Sequence, residues 1–269
     1  MEVLFDMKVC IIAIAKNENL YINEWIKHHL ELGIDHIYVC DNNDRKGESI
    51  KNIVSNKRVT IINYKGINSV QPKAYTECFL LYRKQYDWMI FIDIDEFIML
   101  EDKYNDIKEF LGESIFKKAD IIRLYWKLYS GGGELEAKHN YKVMERFVDI
   151  IDHSENCFAK SIIRSTIQYI GGCIYGHGYF ENKKLTAVDA TGQPALNKWS
   201  QAGYKPVYKN AWINHYPTKT IGEYINQKYF RGGPNNNPER YSTLDYFFKY
   251  NEDNSRIRQY GENKIKGMS

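Results

Sequence analysis

The stretch that most constrains the fold is a nearly unbroken apolar run that ends in acidic side chains. Residues 88–92 read Trp-Met-Ile-Phe-Ile, and Asp93, Asp95 and Glu96 follow at once. Such a run is typical of a strand covered on both faces, as in a parallel sheet. In open α/β sheets, ligands bind outside the carboxyl ends of the strands, which is where these acids stand. The run therefore predicts an α/β fold with a functional site at this edge of the sheet.

The spacing of the two aspartates favours a bound cation. Side chains at i and i+2 of an extended backbone point the same way, so the carboxylates of Asp93 and Asp95 would repel each other. A divalent cation removes that repulsion, and oxygen ligands suit Mg²⁺ or Mn²⁺, which would in turn carry a diphosphate. An isolated pair of this kind also fits two solvated acids at a strand end, so the rest of the chain has to decide.

Composition limits the class of protein. A chain of 269 residues with 43% hydrophobic content can bury a core, and one α/β domain with an elaborated C-terminal part fits best. A net charge of +3 with 26% charged residues is too balanced for a nucleic-acid-binding surface. The five cysteines include no Cys-X-X-Cys pair, so neither a disulfide framework nor a zinc ribbon is indicated. With no secretory signal pattern and no apolar run near the roughly 18 residues of a membrane helix, a cytoplasmic protein is expected.

The N-terminal part predicts a β-α-β unit. Lys8–Ala15 is a continuous apolar run rich in β-branched residues, and it predicts the first strand. Apolar residues at helical spacing then predict a helix from Asn19, as its cap, to Gly33, as its stop. Ile37–Cys40 predicts the second strand and is followed by a polar cluster at residues 41–47. The turn after the first strand has neither a dinucleotide-binding glycine pattern nor a P-loop.

The remaining elements follow from the same patterns. Helices are predicted at Ser49–Ser55, Gln71–Gln85, Tyr104–Leu111, Ile221–Phe230 and Pro238–Tyr250. Strands are predicted at Val59–Asn63, Ile121–Tyr129, Tyr141–Ile150, Phe158–Ile170 and Val207–Tyr216. A mobile loop is expected at Phe180–Lys205, and the residues after Gly261 should be flexible.

Four stretches are spaced along the chain: VCIIAIAKNE, DNNDRKGE, DWMIFIDIDEFI and INHYPTKTIGEYINQKYFRGG. Together they resemble the metal-dependent glycosyltransferases of the GT-A fold, in their family-2-like group and with features of family 92. The resemblance implies one catalytic domain over residues 1–260, with a mostly parallel central sheet and helices on both faces. Its parts would be a nucleotide-sugar-binding half at 1–100, an acceptor-binding half at 101–217 and C-terminal helices at 218–260, before a tail at 261–269.

The same resemblance implies the reaction. A hexose would pass from a nucleotide-diphosphate sugar, with UDP expected, to a saccharide or lipid-linked saccharide in surface polysaccharide or lipopolysaccharide synthesis, with inversion. Mn²⁺ or Mg²⁺ would bind Asp95 directly, while Asp93 would contact the ribose or sugar and the metal through water. Glu96 would support these ligands. His215 would complete the metal shell, since neutral imidazole is a suitable ligand for Mn²⁺.

The resemblance also assigns residues to the donor. Ala13, Lys16, Asn17 and Glu18 would line the nucleoside pocket, Asp41 would accept a hydrogen bond from uracil N3 or a ribose hydroxyl, and Gln71 and Lys73 would face the base and the donor phosphate. Lys219 and Arg231 would hold the leaving diphosphate. Structural alternatives stay open, with Glu18 as a first-turn helix acid, Asp41 as a turn former, Lys73 as a solvated lysine and His215 as a histidine packed at a strand end.

A direct inverting transfer also needs a base for the acceptor hydroxyl, and the sequence does not single one out. The candidates are His177, Glu145 and Asp189, with Asp149 and Glu181 also open. The Gly-His-Gly setting of His177 resembles the histidine-bearing turn of related sugar transferases, which favours His177 at the acceptor site.

Three other functions compete with sugar transfer. A phosphohydrolase or phosphotransferase would phosphorylate the first aspartate, but its motif usually stands on the first strand and is followed by Thr or Val, whereas Glu96-Phe97 follows here. A nucleotidyltransferase would need a glycine-rich basic loop in place of Lys16-Asn17-Glu18. An inactive nucleotide-sugar-binding module stays open. The C-terminal helices also leave open a peripheral contact with the inner membrane face, or a homodimer interface.

Overall fold

The computed structural model describes residues 7–137, 142–151, 158–169, 171–178, 184–198, 205–231 and 238–268. The chain divides into two compact units. The first unit comprises Met1–Trp126 and His153–Asn214, and the second unit comprises Lys127–Asp152 and His215–Ser269. The boundaries predicted from the sequence within 1–260 stay a prediction.

The strands are β1 (Val9–Ala15), β2 (His36–Asp41), β3 (Val59–Asn63), β4 (Trp88–Phe91), β5 (Glu96–Leu100), β6 (Ile121–Tyr129), β7 (Ile150–Ile151), β8 (Ala159–Arg164), β9 (Ala187–Asp189) and β10 (Ala211–His215). The helices are α1 (Ile22–Glu31), α2 (Gln71–Tyr82), α3 (Ile107–Leu111), α4 (Val143–Arg146), α5 (Ile221–Tyr224), α6 (Leu244–Phe248) and α7 (Ser255–Met268).

The first half of the sheet in the first unit is parallel. Its order is β3-β2-β1-β4, with Ile11 of β1 paired to Ile37 on one side and to Ile90 on the other. The residues of β1 and β4 are almost all buried, which explains their continuous apolar sequences. Since the strands are parallel, the turns that follow β1, β2 and β4 meet at one edge of the sheet.

The second half of the sheet introduces antiparallel pairing. Strand β8 runs antiparallel to β4 and to β6, β9 runs parallel to β6, and the order continues as β4-β8-β6-β10-β5. Because β3, β2, β1 and β4 pair in parallel, as do β6 and β9, the predicted α/β class with a mostly parallel sheet is confirmed. The GT-A assignment in particular stays a prediction.

Helix α1 is fixed to β5 by three side chains from one helical face. Trp25 Nε1 donates to the Glu96 carbonyl at 2.7 Å, and His28 Nε2 lies 2.8 Å from the Ile98 carbonyl. The Ile98 amide donates to His29 Nε2 at 3.2 Å, which leaves Nδ1 of His29 to donate to the Trp25 carbonyl at 2.9 Å. Spacings of three and four residues align these side chains along the helix. Helix α1 thus holds the strand that directly follows the acidic residues.

The ends of α1 agree only in part with the prediction. The helix begins at Ile22, where Tyr21 is the cap and makes no side-chain capping bond, so Asn19 is not the cap. Gly33 follows the last turn with φ of 94°, the left-handed conformation that favours glycine at a helix end.

One predicted strand was wrong. Tyr141–Ile150 contains α4 and only the start of β7, because Val143 and Phe147 are both buried at a helical spacing of four residues. Glu145 also closes a capping box with the backbone of Lys142 at the start of α4.

Three other segments differ from expectation. Ser49–Ser55 forms only a short 3₁₀ turn, Ile50–Asn52. The segment expected to be one loop at Phe180–Lys205 contains β9. Residues 180–183 and 199–204 of this segment lie outside the described residues. The expected flexible tail is helical, because α7 continues to Met268.

The second unit has its own apolar cluster, formed by Ile221, Tyr224, Ile225, Phe247 and Ile257. The same unit contains a buried, bidentate ion pair. The Arg146 guanidinium donates to both oxygens of Glu223 at 2.8 and 3.1 Å. Within the described ranges, no helix combines the length and the apolar character needed to span a bilayer.

Acid should destabilise the fold through His29. Burial, together with the neighbouring His28, lowers the pKa of His29 well below its usual value of 6.5. Below about pH 6.5 the unfolded chain therefore binds a proton that the folded chain does not, so the free energy of unfolding falls by up to about 1.4 kcal/mol per pH unit. In urea titrations followed by circular dichroism, His29→Gln should show a shallower loss of stability between about pH 7 and pH 5 than the wild type.

The matched control for this prediction is His36→Gln, because His36 lies partly exposed on β2 and away from the α1 contacts with β5. This variant should keep most of the wild-type pH dependence. Equal slopes in the wild type and His29→Gln would show that His29 does not carry the effect.

Candidate active site

Three acidic residues meet at the junction of β4 and β5. Asp95 is 7% exposed and Glu96 is fully buried, and their nearest carboxylate oxygens lie within 4.8 Å of each other. The backbone amide of Asp93 donates to Glu96 Oε2 at 3.0 Å, which closes the turn between the strands. The acids that the sequence placed at a strand end therefore form one cluster.

Asp93 is held on both of its carboxylate oxygens. Oδ1 accepts hydrogen bonds from Gln71 Nε2 at 2.9 Å and from the Tyr75 hydroxyl at 3.3 Å. Oδ2 accepts from Lys160 Nζ at 2.6 Å. Gln71 and Tyr75 stand one turn apart at the start of α2, so the helix aims both side chains at the acid. Gln71 thus lies at the acid cluster, while its role toward a donor stays a prediction.

Glu96 has the electrostatics of a site that suits a cation. Burial raises the pKa of Glu96 well above its usual value, Lys160 opposes this shift, and Asp93 and Asp95 add to it. Among the described residues, Glu96 Oε1 has no hydrogen-bond partner, and Lys160 Nζ lies 3.6 Å from it. A buried carboxylate oxygen without a donor is rare in folded proteins. Carboxylate oxygens are ligands that suit Mg²⁺ or Mn²⁺.

Lys160 is a site residue that the sequence patterns did not indicate. It lies on β8, whose Ser161 pairs with Phe91, so Lys160 stands beside the residues that follow β4. Its side chain is 2% exposed. Burial would lower the pKa of Lys160, but the charges of Asp93 and Glu96 raise it above the usual value. The available signal was a lone lysine within an apolar strand, since a buried lysine requires an acidic partner.

The turns after β1 and β2 are joined by Asn43. The backbone of Asn17, at φ of 60°, donates to Asn43 Oδ1 at 2.8 Å, and Asn43 Nδ2 donates to Asn19 Oδ1 at 2.8 Å. Asp41 accepts from the Asn43 amide at 3.1 Å, and its second oxygen accepts from the Ser49 hydroxyl at 2.7 Å. Asp41 therefore shapes its own turn, as a turn former does. Asn43 was not identified individually from the sequence.

The other residues predicted for the donor are placed as follows. Ala13 is buried in β1, Lys16 forms an ion pair with Asp44 at 3.3 Å, and Glu18 is buried in the turn before α1. Lys73 is 68% exposed and pairs with Glu77 one helical turn further on. The structure thus brings Ala13, Lys16, Asn17, Glu18 and Asp41 to the same sheet edge, whereas Lys73 faces solvent. The roles of these residues toward a nucleotide stay predictions.

The turn around His177 packs directly on the strands that carry the site. The Gly176 carbonyl accepts from Lys160 Nζ at 2.6 Å, and the His177 carbonyl accepts from Arg123 Nη1 at 3.0 Å. The His177 ring lies 5.0 Å from the ring of Trp126. A Cβ atom at Gly178, which has φ of 64°, would lie 2.9 Å from the Ser161 Cβ. The glycine turn, residues 176–178, is therefore bound to the acid cluster through Lys160.

The other candidate bases have local roles. Glu145 is exposed at the start of α4, and hydrogen bonds from Lys142 lower its pKa. Asp189 Oδ1 accepts from Thr191 and Gln193 and so shapes the turn after β9. Asp149 is exposed, and Glu181 lies outside the described residues. His177 is thus the candidate base that the described contacts connect to the acid cluster.

The remaining predicted residues belong to the second unit. His215 is the last residue of β10 and is buried. Lys219 is buried with φ of 55°, and Arg231 is partly exposed. Their roles toward a metal or a diphosphate stay predictions.

Comparison with known proteins adds a family. A family model described as glycosyltransferase family 92 matches residues 5–171, more than half of the chain. A glycosyltransferase family 92 protein of Oryza sativa subsp. japonica is 30% identical over 93 residues, which are 34% of this chain and 16% of that protein. One of Ricinus communis is 26% identical over 100 residues, 36% and 18% of the two chains, and one of Arabidopsis thaliana is 28% identical over 93 residues, 34% and 16%.

Each of these alignments covers less than a fifth of the relative's length. The family 92 part of the resemblance seen in the sequence is confirmed, and with it the expectation of a glycosyltransferase. The assignments to family 2 and to a GT-A site with an Asp-X-Asp metal motif stay predictions.

A methyl group at Gly178 should disturb the glycine turn. Gly178→Ala adds the strain of a positive φ, roughly 1–2 kcal/mol, and roughly 1–3 kcal/mol of overpacking against Ser161 and Phe91. The matched control is Gly172→Ala, which carries the same kind of strain at φ of 89° but meets no atom within 4 Å. Urea unfolding should show a clearly greater loss of stability for Gly178→Ala, and equal losses would contradict the close packing of this turn.

Proposed function

Because the chain belongs to glycosyltransferase family 92, we propose that it transfers a hexose from a nucleotide-diphosphate sugar, with UDP as the expected nucleotide, to a saccharide or lipid-linked saccharide. The observation that supports a metal-dependent reaction is the buried pair of Asp95 and Glu96 at the carboxyl end of β4, with one Glu96 oxygen lacking a hydrogen-bond donor among the described residues. The proposed context is surface polysaccharide or lipopolysaccharide synthesis, which rests on the resemblance in sequence.

A cation at this site would be held by Asp95 and, beyond the supporting role expected from the sequence, by Glu96 itself. His215 and, through water, Asp93 are the further ligands that the sequence predicts. The cation would neutralise charge on the leaving diphosphate. Asp93 is oriented by Gln71, Tyr75 and Lys160, so its carboxylate is fixed for contact with a ribose or sugar hydroxyl.

The other steps fall to basic residues and to His177. Lys219 and Arg231 would bind the diphosphate oxygens as the bond to the anomeric carbon breaks. The acceptor hydroxyl would attack that carbon and lose its proton to His177. Nδ1 of His177 lies 3.4 Å from the Ala159 carbonyl, which favours a proton on Nδ1 and an accepting Nε2. Inversion at the anomeric carbon follows from such a single displacement.

The contacts of Asp93 weigh against a phosphohydrolase. In that reaction the first aspartate of the motif attacks phosphorus. Here both oxygens of Asp93 already accept hydrogen bonds, from Gln71 and Tyr75 on one and Lys160 on the other. These contacts suit an acid that orients a bound ligand and are less suited to an acid that attacks phosphorus.

The proposal is tested by incubating the protein with a panel of nucleotide sugars, with and without Mn²⁺. We expect slow, Mn²⁺-dependent release of UDP from one UDP-hexose, and a roughly hundredfold or greater loss in Asp95→Asn, because charge stabilisation worth several kcal/mol is removed. Asp102→Asn, an exposed acid just beyond β5, is the control and should keep wild-type activity.

Full activity in Asp95→Asn would contradict the metal assignment. Phosphate release from monoesters would indicate the hydrolase, and binding without turnover on any acceptor would indicate an inactive module.

His215 has a separate test. If it is a metal ligand, His215→Ala should raise the Mn²⁺ concentration for half-maximal activity by at least about tenfold, because the loss of a residue that only orients a ligand already costs about that much. His36→Ala, at a partly exposed position of β2, is the control. An unshifted Mn²⁺ titration would leave His215 as a buried residue at a strand end.

A further inference from the structure

Lys160 contacts both the acid cluster and the glycine turn. Its ammonium group donates to Asp93 Oδ2 and to the Gly176 carbonyl, both at 2.6 Å, and lies 3.6 Å from Glu96 Oε1. Its side chain is 2% exposed, and that of Glu96 is fully buried. The buried ammonium group of Lys160 thus binds both an acid of the candidate metal site and the turn that carries His177.

The charge balance gives this lysine a measurable effect. Asp93, Asp95 and Glu96 bring up to three negative charges to the junction of β4 and β5, and Lys160 contributes one positive charge among them. A positive charge within a few ångströms of carboxylate ligands repels an incoming divalent cation. Lys160 should therefore weaken cation binding in the protein without nucleotide.

The same contacts fix geometry. Asp93 Oδ1 is oriented by Gln71 and Tyr75 from α2, but Oδ2 depends on Lys160. A Cβ atom at Gly176 would lie 2.6 Å from Gln71 Oε1, so the glycine turn and α2 also approach each other closely. Loss of Lys160 would free one side of Asp93 and the Gly176 carbonyl together.

We propose that Lys160 is a positioning residue that holds Asp93 and the glycine turn together and, as an internal counter-ion, limits the affinity of the acid cluster for a divalent cation. The proposal rests on the proposed function. It predicts opposite changes in two properties on removal of the ammonium group, namely tighter cation binding and slower sugar transfer. If Lys160 were needed only for folding, its removal would weaken cation binding and slow sugar transfer.

The test measures Mn²⁺ binding directly, from the electron paramagnetic resonance signal of free Mn²⁺, in the absence of nucleotide. Lys160→Met keeps an unbranched side chain, one heavy atom shorter, and removes its charge. We expect Mn²⁺ to bind about tenfold more tightly to this variant, while kcat for release of UDP falls at least about tenfold.

Two further variants control for charge and for folding. Arg164→Met removes a cation from the same strand, where its guanidinium binds the carbonyls of Ala119 and Phe116, and it should change neither property. In the double variant Lys160→Met with Asp93→Asn the charge balance is restored, so Mn²⁺ affinity should return to within about threefold of wild type while kcat stays low.

The outcomes separate this proposal from the proposed function. A folded Lys160→Met protein with unchanged or weaker Mn²⁺ binding, or with wild-type kcat, would overturn the role of Lys160 and leave the metal site intact. If Lys160→Met does not fold, the double variant decides, and wild-type kcat in it would overturn the proposal. A wild-type protein that binds no Mn²⁺ would overturn the metal assignment itself, and with it the counter-ion role.

Discussion

The burial of Glu96 is the constraint on which the site depends. A carboxylate removed from water costs several kcal/mol unless charges and hydrogen bonds compensate for it. Here the amide of Asp93 and the ammonium group of Lys160 provide part of that compensation. The backbone carbonyl of the same residue is bound by Trp25 of α1. A strand, a helix and a turn are therefore all held in place around one buried acid, which makes the junction of β4 and β5 a fixed platform.

Much of this arrangement follows from local sequence. The apolar runs of β1 and β4 predict buried parallel strands, and the acids after Phe91 predict a site at their carboxyl ends. Once these strands pair in parallel, the turns after β1, β2 and β4 necessarily lie at one edge of the sheet. The position of Gln71 near the acids also follows, because α2 leads directly into β4.

The contributions from distant strands do not follow in this way. Lys160 meets Asp93 across 67 positions of sequence, through an antiparallel pairing between β4 and β8 that no local pattern specifies. Asn43 was visible only as one polar residue in a polar cluster, although its side chain joins two turns. The wrong strand at Tyr141–Ile150 has a different cause, since mixed apolar residues over so short a stretch fit both periods, and a capping box at Glu145 favoured the helix.

The glycine turn and Asp93 are bound by the same lysine, Lys160. Gly178 has to be glycine because a side chain there would meet Ser161 of β8 and Phe91 of β4, the strand that leads into the acids. The close approach lets the Gly176 carbonyl share the ammonium group of Lys160 with Asp93. A displacement of Asp93 by a ligand would therefore change the hydrogen bonding of the turn that carries His177. Because Asp93 is proposed to contact the donor and His177 the acceptor, a single buried lysine is placed to keep the two reactants in one geometry, and small errors in that geometry are costly in a displacement reaction.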